Sequence, residues 1–467
     1  MSGTRVLGVI GLDATGGLVA RRALQAGSSL VVHASSAAPG ALSSIEGMDF
    51  RLAGSLDELA ASLCPPGALL LCLPSADPAR LGELFRSALG SLGRGGLLVS
   101  SASAPYAERE SLAAACAEGG LAFVDLGASR WIGGRGSLAL GAGGTASDWE
   151  LARPFFEGEA GEGEGPGSSD PLLRLGGPGS GSLAALVRSA LDGLLVELLA
   201  ETYHLLRQAL RASYDEMRVV LSQWNSGELA DPLVAATADA LGLRDEDGEP
   251  LLEKVLDAAA AAGHCSRAAA LALDIGAPAP MISQAAAASA LASLKDERIE
   301  ASAILAGPKA ALTGERPLMI EELRKAFLAS TLLALSEGFS LLAAASARRG
   351  LGLDLGLAAR LWSGGSQVYG RAAEALARQG GRPSILLDAQ VKLLLDQCVP
   401  SLRRVAALAL ESGVPVPALS AALMLYDCYR ATWLPANLAN ALRDSSQGSG
   451  FERVDRPRGE LFHSEWR

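Results

Sequence analysis

The sequence predicts an α/β chain: a Rossmann-type N-terminal domain, then a large all-helical domain and an extended C-terminal tail. Three observations predict it. Residues 1 to about 150 alternate short apolar strands with helical stretches, the rhythm of a doubly wound parallel sheet. From about Leu183 to Arg443 apolar residues recur at helical spacing almost without a break. The last two dozen residues are polar and Gly-rich until Leu461–Trp466, a tail with one apolar anchor. Domains at 1–176, 177–443 and 444–467 follow from these changes of pattern.

Short apolar runs place strands at Val6–Ile10, Ser29–His33, Ala68–Leu73, Gly96–Ser100 and Leu121–Asp125. Helices are expected between them at Leu18–Gln25, Leu56–Ser62, Ala79–Leu92 and Ala107–Glu118. The segment 157–170 (EGEAGEGEGPGSSD) is an acidic Gly-rich loop that cannot bury enough apolar surface to offset its ordering entropy. In the helical half, Leu332 to Ala347 is apolar on most faces and belongs in a core. Gly276, Pro278, Gly307, Pro308, Gly364, Gly365 and Pro435 punctuate the helices.

The 467 residues are 49% hydrophobic and only 4% aromatic, so Ala and Leu fill most of the core. A net charge of −11 excludes non-specific nucleic-acid binding, which needs a positive field. Only five of the 40 basic residues are Lys, and the first is Lys254. Arginine stays protonated and is a poor general base, so the front half lacks that chemistry. The six cysteines form no CxxC pair, and most lie in apolar runs and read as buried free thiols suited to a reducing compartment. Four histidines without HxxxH or HExxH spacing predict no metal site. No leader precedes the first strand and no apolar run of about 18–20 residues lacks charges or breakers. A cytoplasmic chain without a membrane span is expected.

The run Gly179 to Tyr203 (GSGSLAALVRSALDGLLVELLAETY) resembles the catalytic helix of the 6-phosphogluconate dehydrogenases. Further strings resemble that family in order: Trp224-Asn225 with Glu228-Leu229, Ser293 to Ser302 (SLKDERIEAS), and Arg324 to Ser330 (RKAFLAS). They continue with Trp362 and Gly364-Gly365, Tyr426 to Asp444 (YDCYRATWLPANLANALRD), and Phe462-His463 with Trp466. The resemblance implies a homodimer whose tails reach the neighbouring active site. It implies NADP-dependent oxidative decarboxylation of 6-phosphogluconate, in the pentose phosphate pathway.

Carried over position by position, the resemblance implies a degraded site. The base lysine of the family falls on Ala185 and the acid glutamate on Asp192. A methyl group cannot take a proton, and Asp ends roughly 1 Å short of where Glu would reach. The family's His-Asn pair becomes Arg188-Ser189. Its GGNS turn reads Ser101-Ala102-Ser103-Ala104, with Ser103 among the substrate positions. Its Ser-Gly-Gly loop reads Ser129-Arg130-Trp131. The groups that grip the 6-phosphate fall on Gly193, Ser266, Arg298, Arg443 and Ser449, of which the two arginines remain. Arg298 either keeps that role or pairs with acids beside it in the Lys295–Arg298 string.

The cofactor loop reads Gly11-Leu12-Asp13-Ala14-Thr15-Gly16 where the family has GxAxxG. Asp13 either faces the pyrophosphate or caps the following helix and fills the anion site itself. The arginine that clamps the NADP 2′-phosphate is missing from His33-Ala34-Ser35. The expectation is a catalytically impaired homologue. Its alternatives are an active NADP-dependent enzyme with another proton-transfer group, and a non-catalytic scaffold or regulatory partner of an active paralogue. 6-phosphogluconate or another sugar phosphate is the expected small ligand.

Overall fold

The computed structural model describes residues 5–33, 41–63, 67–72, 90, 92–101, 106–130, 138–157, 171–258, 263–308 and 315–466. The N-terminal part runs β1 (Val6–Ile10), α1 (Ala14–Gln25), β2 (Ser29–His33), β3 (Phe50–Ala53), α2 (Leu56–Ser62), β4 (Ala68–Leu71) and β5 (Leu97–Ser100). It continues with α3 (Tyr106–Gly119), β6 (Ala122–Arg130), β7 (Leu138–Gly143), α4 (Ala146–Ala152) and β8 (Leu172–Gly176). The eight strands form one sheet in the order β3-β2-β1-β4-β5-β6-β7-β8. Every pairing is parallel except β6 with β7. Strand order reverses between β1 and β4, which opens a crevice at the carboxyl ends of those strands.

Leu and Val on alternate sides of these strands bury two clusters. One holds Leu7, Val9, Leu70, Val99 and Val124, the other Ile10, Leu69, Leu71, Leu98 and Phe123. Burial on both faces is why the strands read as continuous apolar runs. The sequence reading missed β3, β7 and β8. β3 exposes Arg51 and Leu52 at the sheet edge, and β7 (LALGAG) and β8 (LLRLG) are interrupted by Gly or Arg. The strand expected to end at Asp125 runs on to Arg130, because β7 pairs along its second half. The expected helix at 79–92 and the loop at 157–170 fall almost wholly outside the described residues.

The helical part runs α5 (Ser180–His204), α6 (Tyr214–Asn225), α7 (Pro232–Gly242), α8 (Gly263–Ile275), α9 (Pro280–Ser293) and α10 (Lys295–Ile304). It continues with α11 (Arg316–Arg349), α12 (Leu355–Trp362), α13 (Gln367–Arg378), α14 (Ala389–Glu411), α15 (Pro417–Arg430) and α16 (Ala436–Gln447). α11 is the central helix. It is long and apolar enough by composition to cross a membrane, yet 89% of its apolar window is buried inside the protein, as a core helix is. Two buried glutamates cap other helices: Glu337 of α11 accepts from Met281 and Ile282 at the start of α9, and Glu201 of α5 accepts from Ala418 and Leu419 at the start of α15. Burial pushes both up, Glu337 to about 7 and Glu201 to about 8, against the pull of those N–H donors.

The chain divides into two compact units, 1–422 and 423–467. Within the second, the tail does not stay extended from its anchor. Phe451 and Phe462 pair antiparallel, and the last residues return to Asp444 near the end of α16.

Candidate active site

The crevice at the sheet's reversal is where a dinucleotide loop belongs. Gly11 follows β1 with φ of +76°. Asp13 takes the capping arrangement: its Oδ1 accepts the Gly16 N–H at 2.6 Å at the start of α1. Burial raises the Asp13 carboxyl, and backbone donors pull it back down. Gly16 is required by close approach, since a Cβ there would lie 2.3 Å from that of Cys72. The Cys72 thiol is pushed up to about 12 by burial and accepts from Ser101 Oγ at 3.2 Å. His33 is buried at the end of β2. Ala34, Ser35 and Ser103 lie outside the described residues. A pyrophosphate needs the free N–H groups at a helix start. Here the Asp13 carboxylate already holds one of them, so with Asp13 ionised the residues present do not fit that group.

α5 is fastened to the sheet by its first turn. The buried Asp125 carboxylate on β6 accepts from Gly179 N at 2.5 Å and from Ser182 N at 2.7 Å. A Cβ on Gly127 would lie 1.8 Å from Gly181 O and 2.8 Å from Ala185 Cβ, so only glycine lets helix and strand approach this closely. The Ala185 methyl therefore sits over Gly127. Ser129 is two residues further along β6, on the same strand face. Its hydroxyl is buried and has no hydrogen-bond partner among the described residues. Ala185 and Ser129 are thus brought to one face at the carboxyl end of β6. Trp131 and the Arg130 side chain lie outside the described residues.

One and two turns along α5 the chemistry is ionic. Arg188 is 6% exposed. Its Nε donates to Asp192 Oδ1 at 3.0 Å and its Nη1 to the Trp362 carbonyl at 2.6 Å. The guanidinium lies 4.0 Å from the centre of the Tyr369 ring. Burial alone would lower Arg188, but Asp192 and Tyr369 hold it above its ordinary value, so it stays charged. Burial raises Asp192 against the pull of Arg188. The sequence reading gave Arg188 no role. The i,i+4 Arg–Asp spacing was visible, but Trp362 and Tyr369 come from elements about 170 residues away.

Of the positions matched to the 6-phosphate grip, Gly193 and Ser266 meet where α5 packs on the start of α8. A Cβ on Gly193 would lie 2.7 Å from the Sγ of Cys265, where α8 starts; Ser266 is exposed on the same turn. Beside it, His264 Nδ1 lies 3.0 Å from Arg267 Nη2; burial and Arg267 lower that imidazole. Arg298 pairs outside its own string, with the carboxylate of Asp257 at 3.4 Å and its carbonyl at 2.7 Å. The neighbouring Asp296 and Glu297 are not its partners, because they precede it within the same turn of α10 and face away. Arg443 and Ser449 are exposed in the second unit. Chemically, the cluster on α5 offers a fixed cation, a carboxylate and hydroxyls. The Ala185 methyl itself has no group able to take a proton from an alcohol.

Known proteins resemble the chain along nearly its whole length. Residues 6–163 match the NAD binding domain of 6-phosphogluconate dehydrogenase, and residues 186–466 match its C-terminal domain. An NADP(+)-dependent, decarboxylating 6-phosphogluconate dehydrogenase of Bacillus subtilis is 32% identical over 98% of both chains. That of Haemophilus influenzae is 31% identical over 88% of this chain and 85% of its own. A Plasmodium falciparum 6-phosphogluconate dehydrogenase, solved with NADP+ and with 6-phosphogluconate, superposes with a TM-score of 0.85 over 98% of this chain and 100% of its own, at 23% identity.

Proposed function

The chain belongs to the 6-phosphogluconate dehydrogenase family, and from that premise we propose that it keeps the scaffold and carries out the family's oxidation at a small fraction of the usual rate. The observation that carries this is Ala185 over Gly127. Removing a hydride from the substrate carbon requires its hydroxyl proton to leave at the same time. Arg188 is permanently charged and tied down, Asp192 is shared with it, and no lysine precedes Lys254. NADP is the family's cofactor. Asp13 at the start of α1 opposes its pyrophosphate.

The exposed apolar side chains of the helical part, among them Leu273, Leu291, Ile299, Ile304 and Leu305, support assembly with a second copy or with an active paralogue, because soluble monomers avoid such surface. In that role the chain acts as a partner subunit. Domain limits at 1–176, 177–443 and 444–467 suit this division of labour.

The experiment combines titration calorimetry with NADP and with 6-phosphogluconate and a graft of the family's residues. Ala185→Lys with Arg188→His, Ser189→Asn and Asp192→Glu is expected to raise turnover of 6-phosphogluconate by at least about a hundredfold, the usual worth of a positioned base. Submicromolar NADP binding by the unmodified chain, with no gain from the graft, would overturn the reading.

A further inference from the structure

The α13–α14 side of the helical part carries a cleft that the catalytic positions do not explain. α13 has two distinct faces. Tyr369, Ala372 and Leu376 are buried on one, where Tyr369 lies against Arg188. Arg371, Glu374 and Arg378 recur at i, i+3 and i+7 on the other. There they meet Gln390, Leu393 and Gln397 of α14, spaced in the same way. Between the two rows lies a cleft of about 260 Å³. Sites for drug-sized molecules run to about 300–1,000 Å³, so this one takes a smaller molecule.

The charges in the cleft are unequally engaged. Arg378 is committed: its Nε and Nη2 donate to the two oxygens of Asp388 at 2.9 Å each, a bidentate pair. That carboxylate is 5% exposed and also caps α14 through Gln390 N and Val391 N. Arg371 is not committed. It makes no hydrogen bond among the described residues, and its nearest carboxylate, Glu228 at 3.9 Å, already pairs with Arg324. Glu374 is 70% exposed, and its ion pair with Arg378 is long at 3.6 Å. An available cation and an available anion thus stand one turn apart on α13, with about 5–6 Å between their Cβ atoms. Arg before Glu is the weaker order for such a pair on a helix, and the two do not bridge each other. Val391 floors the cleft, and Leu393, 61% exposed, gives it an apolar wall. The exposed carboxamides of Gln390 and Gln397 offer donors and acceptors at the rim.

We propose that this cleft binds a free α-amino acid with an apolar side chain. Arg371 takes the α-carboxylate, whose two oxygens match the guanidinium fork. Glu374 takes the α-ammonium, and the side chain lies on Leu393. A simple anion at Arg371 would face the like charge of Glu374, and a simple cation at Glu374 would face Arg371. A zwitterion meets both with opposite sign. The site lies on the face of α13 turned away from Arg188, so it stands or falls independently of catalysis.

The test is titration calorimetry on the full chain with L-leucine as the probe. Saturable binding with a Kd below about 1 mM is expected. N-acetyl-leucine lacks the ammonium and leucine methyl ester lacks the carboxylate. Each should bind at least about tenfold more weakly than leucine, the worth of one charge-assisted contact. Arg371→Gln and Glu374→Gln, both at exposed positions of α13, should each weaken leucine to the same extent. Arg371→Gln should leave the methyl ester unaffected, because that contact is already absent. Inorganic phosphate should not compete. No saturable heat up to about 10 mM leucine would overturn the site. Equal binding of leucine and N-acetyl-leucine, or displacement by phosphate, would overturn the zwitterion. Leucine binding unchanged in both variants would place the ligand elsewhere and overturn the assignment to this cleft.

Discussion

Replacing Arg188 by alanine leaves the Asp192 carboxyl buried with no cation beside it and takes the donor from the Trp362 carbonyl. Arg188 is 6% exposed, so solvent screens little of the loss. Breaking a buried pair from one side costs about 3–5 kcal/mol. Unfolding entropy near 2 cal/mol/K per residue gives a chain of this length a slope of about 1 kcal/mol/K, so the melting midpoint should fall by about 3–5 °C. Arg188→Met with Asp192→Leu removes both charges and should lie within about 1 kcal/mol of the unmodified chain. The penalty of Arg188→Ala should shrink as pH falls. Asp192 is raised by burial and loses the pull of Arg188 in the variant, so protonation relieves its unpaired charge. The assay is thermal melting of the four proteins of the cycle at pH 5 and pH 7.5. A midpoint for Arg188→Ala within about 1 °C of the unmodified chain, or a double variant whose loss is the sum of the singles, would refute the reasoning.

Three other predictions concern separate places. Glu337 has its folded carboxyl raised from 4.5 to about 7, so the stability it lends is complete below pH 4.5 and is lost as pH rises towards 7. Glu337→Gln should remove that slope, and parallel stability curves for the two proteins across this window would sink the assignment. Asp13→Ala should cost about 1 kcal/mol as a lost cap, and together with Ala34→Arg should tighten NADP binding; calorimetry showing weaker or equal binding would place the pyrophosphate elsewhere. Cys72, Cys116, Cys265 and Cys398 are buried and Cys428 is exposed, so a thiol reagent on the folded protein should label Cys428 before those four, and mass mapping that found Cys72 ahead of Cys428 would contradict the packing around Gly16.

The sheet was legible wherever both faces of a strand are buried, as in Val6–Ile10 and Ala68–Leu71, because the apolar run is then continuous. It was not legible at Phe50–Ala53 or Leu172–Leu175, where an exposed edge or an inserted Arg174 breaks the run and the pairing partner decides. At the site, the absence of any lysine before Lys254 could be read directly. The setting of Ala185 could not: it meets Gly127 only because Asp125, some 55 residues away, holds the first turn of α5. The same limit applied to Arg298. Its partner Asp257 lies 41 residues upstream, whereas local spacing pointed to its neighbours. The tail's closure on Asp444 joins residues about 20 apart, and nothing in a Gly-rich polar stretch announces it.

The central claim is that a family scaffold without its base has lost most of the family's rate. NADPH formation from 6-phosphogluconate, followed by absorbance at saturating cofactor and substrate, measures it directly. The account predicts a kcat at least about a thousandfold below that of an active family member assayed alongside, from the absent base and the displaced acid together. A kcat within about tenfold of that member would contradict it and would mean that another group takes the proton.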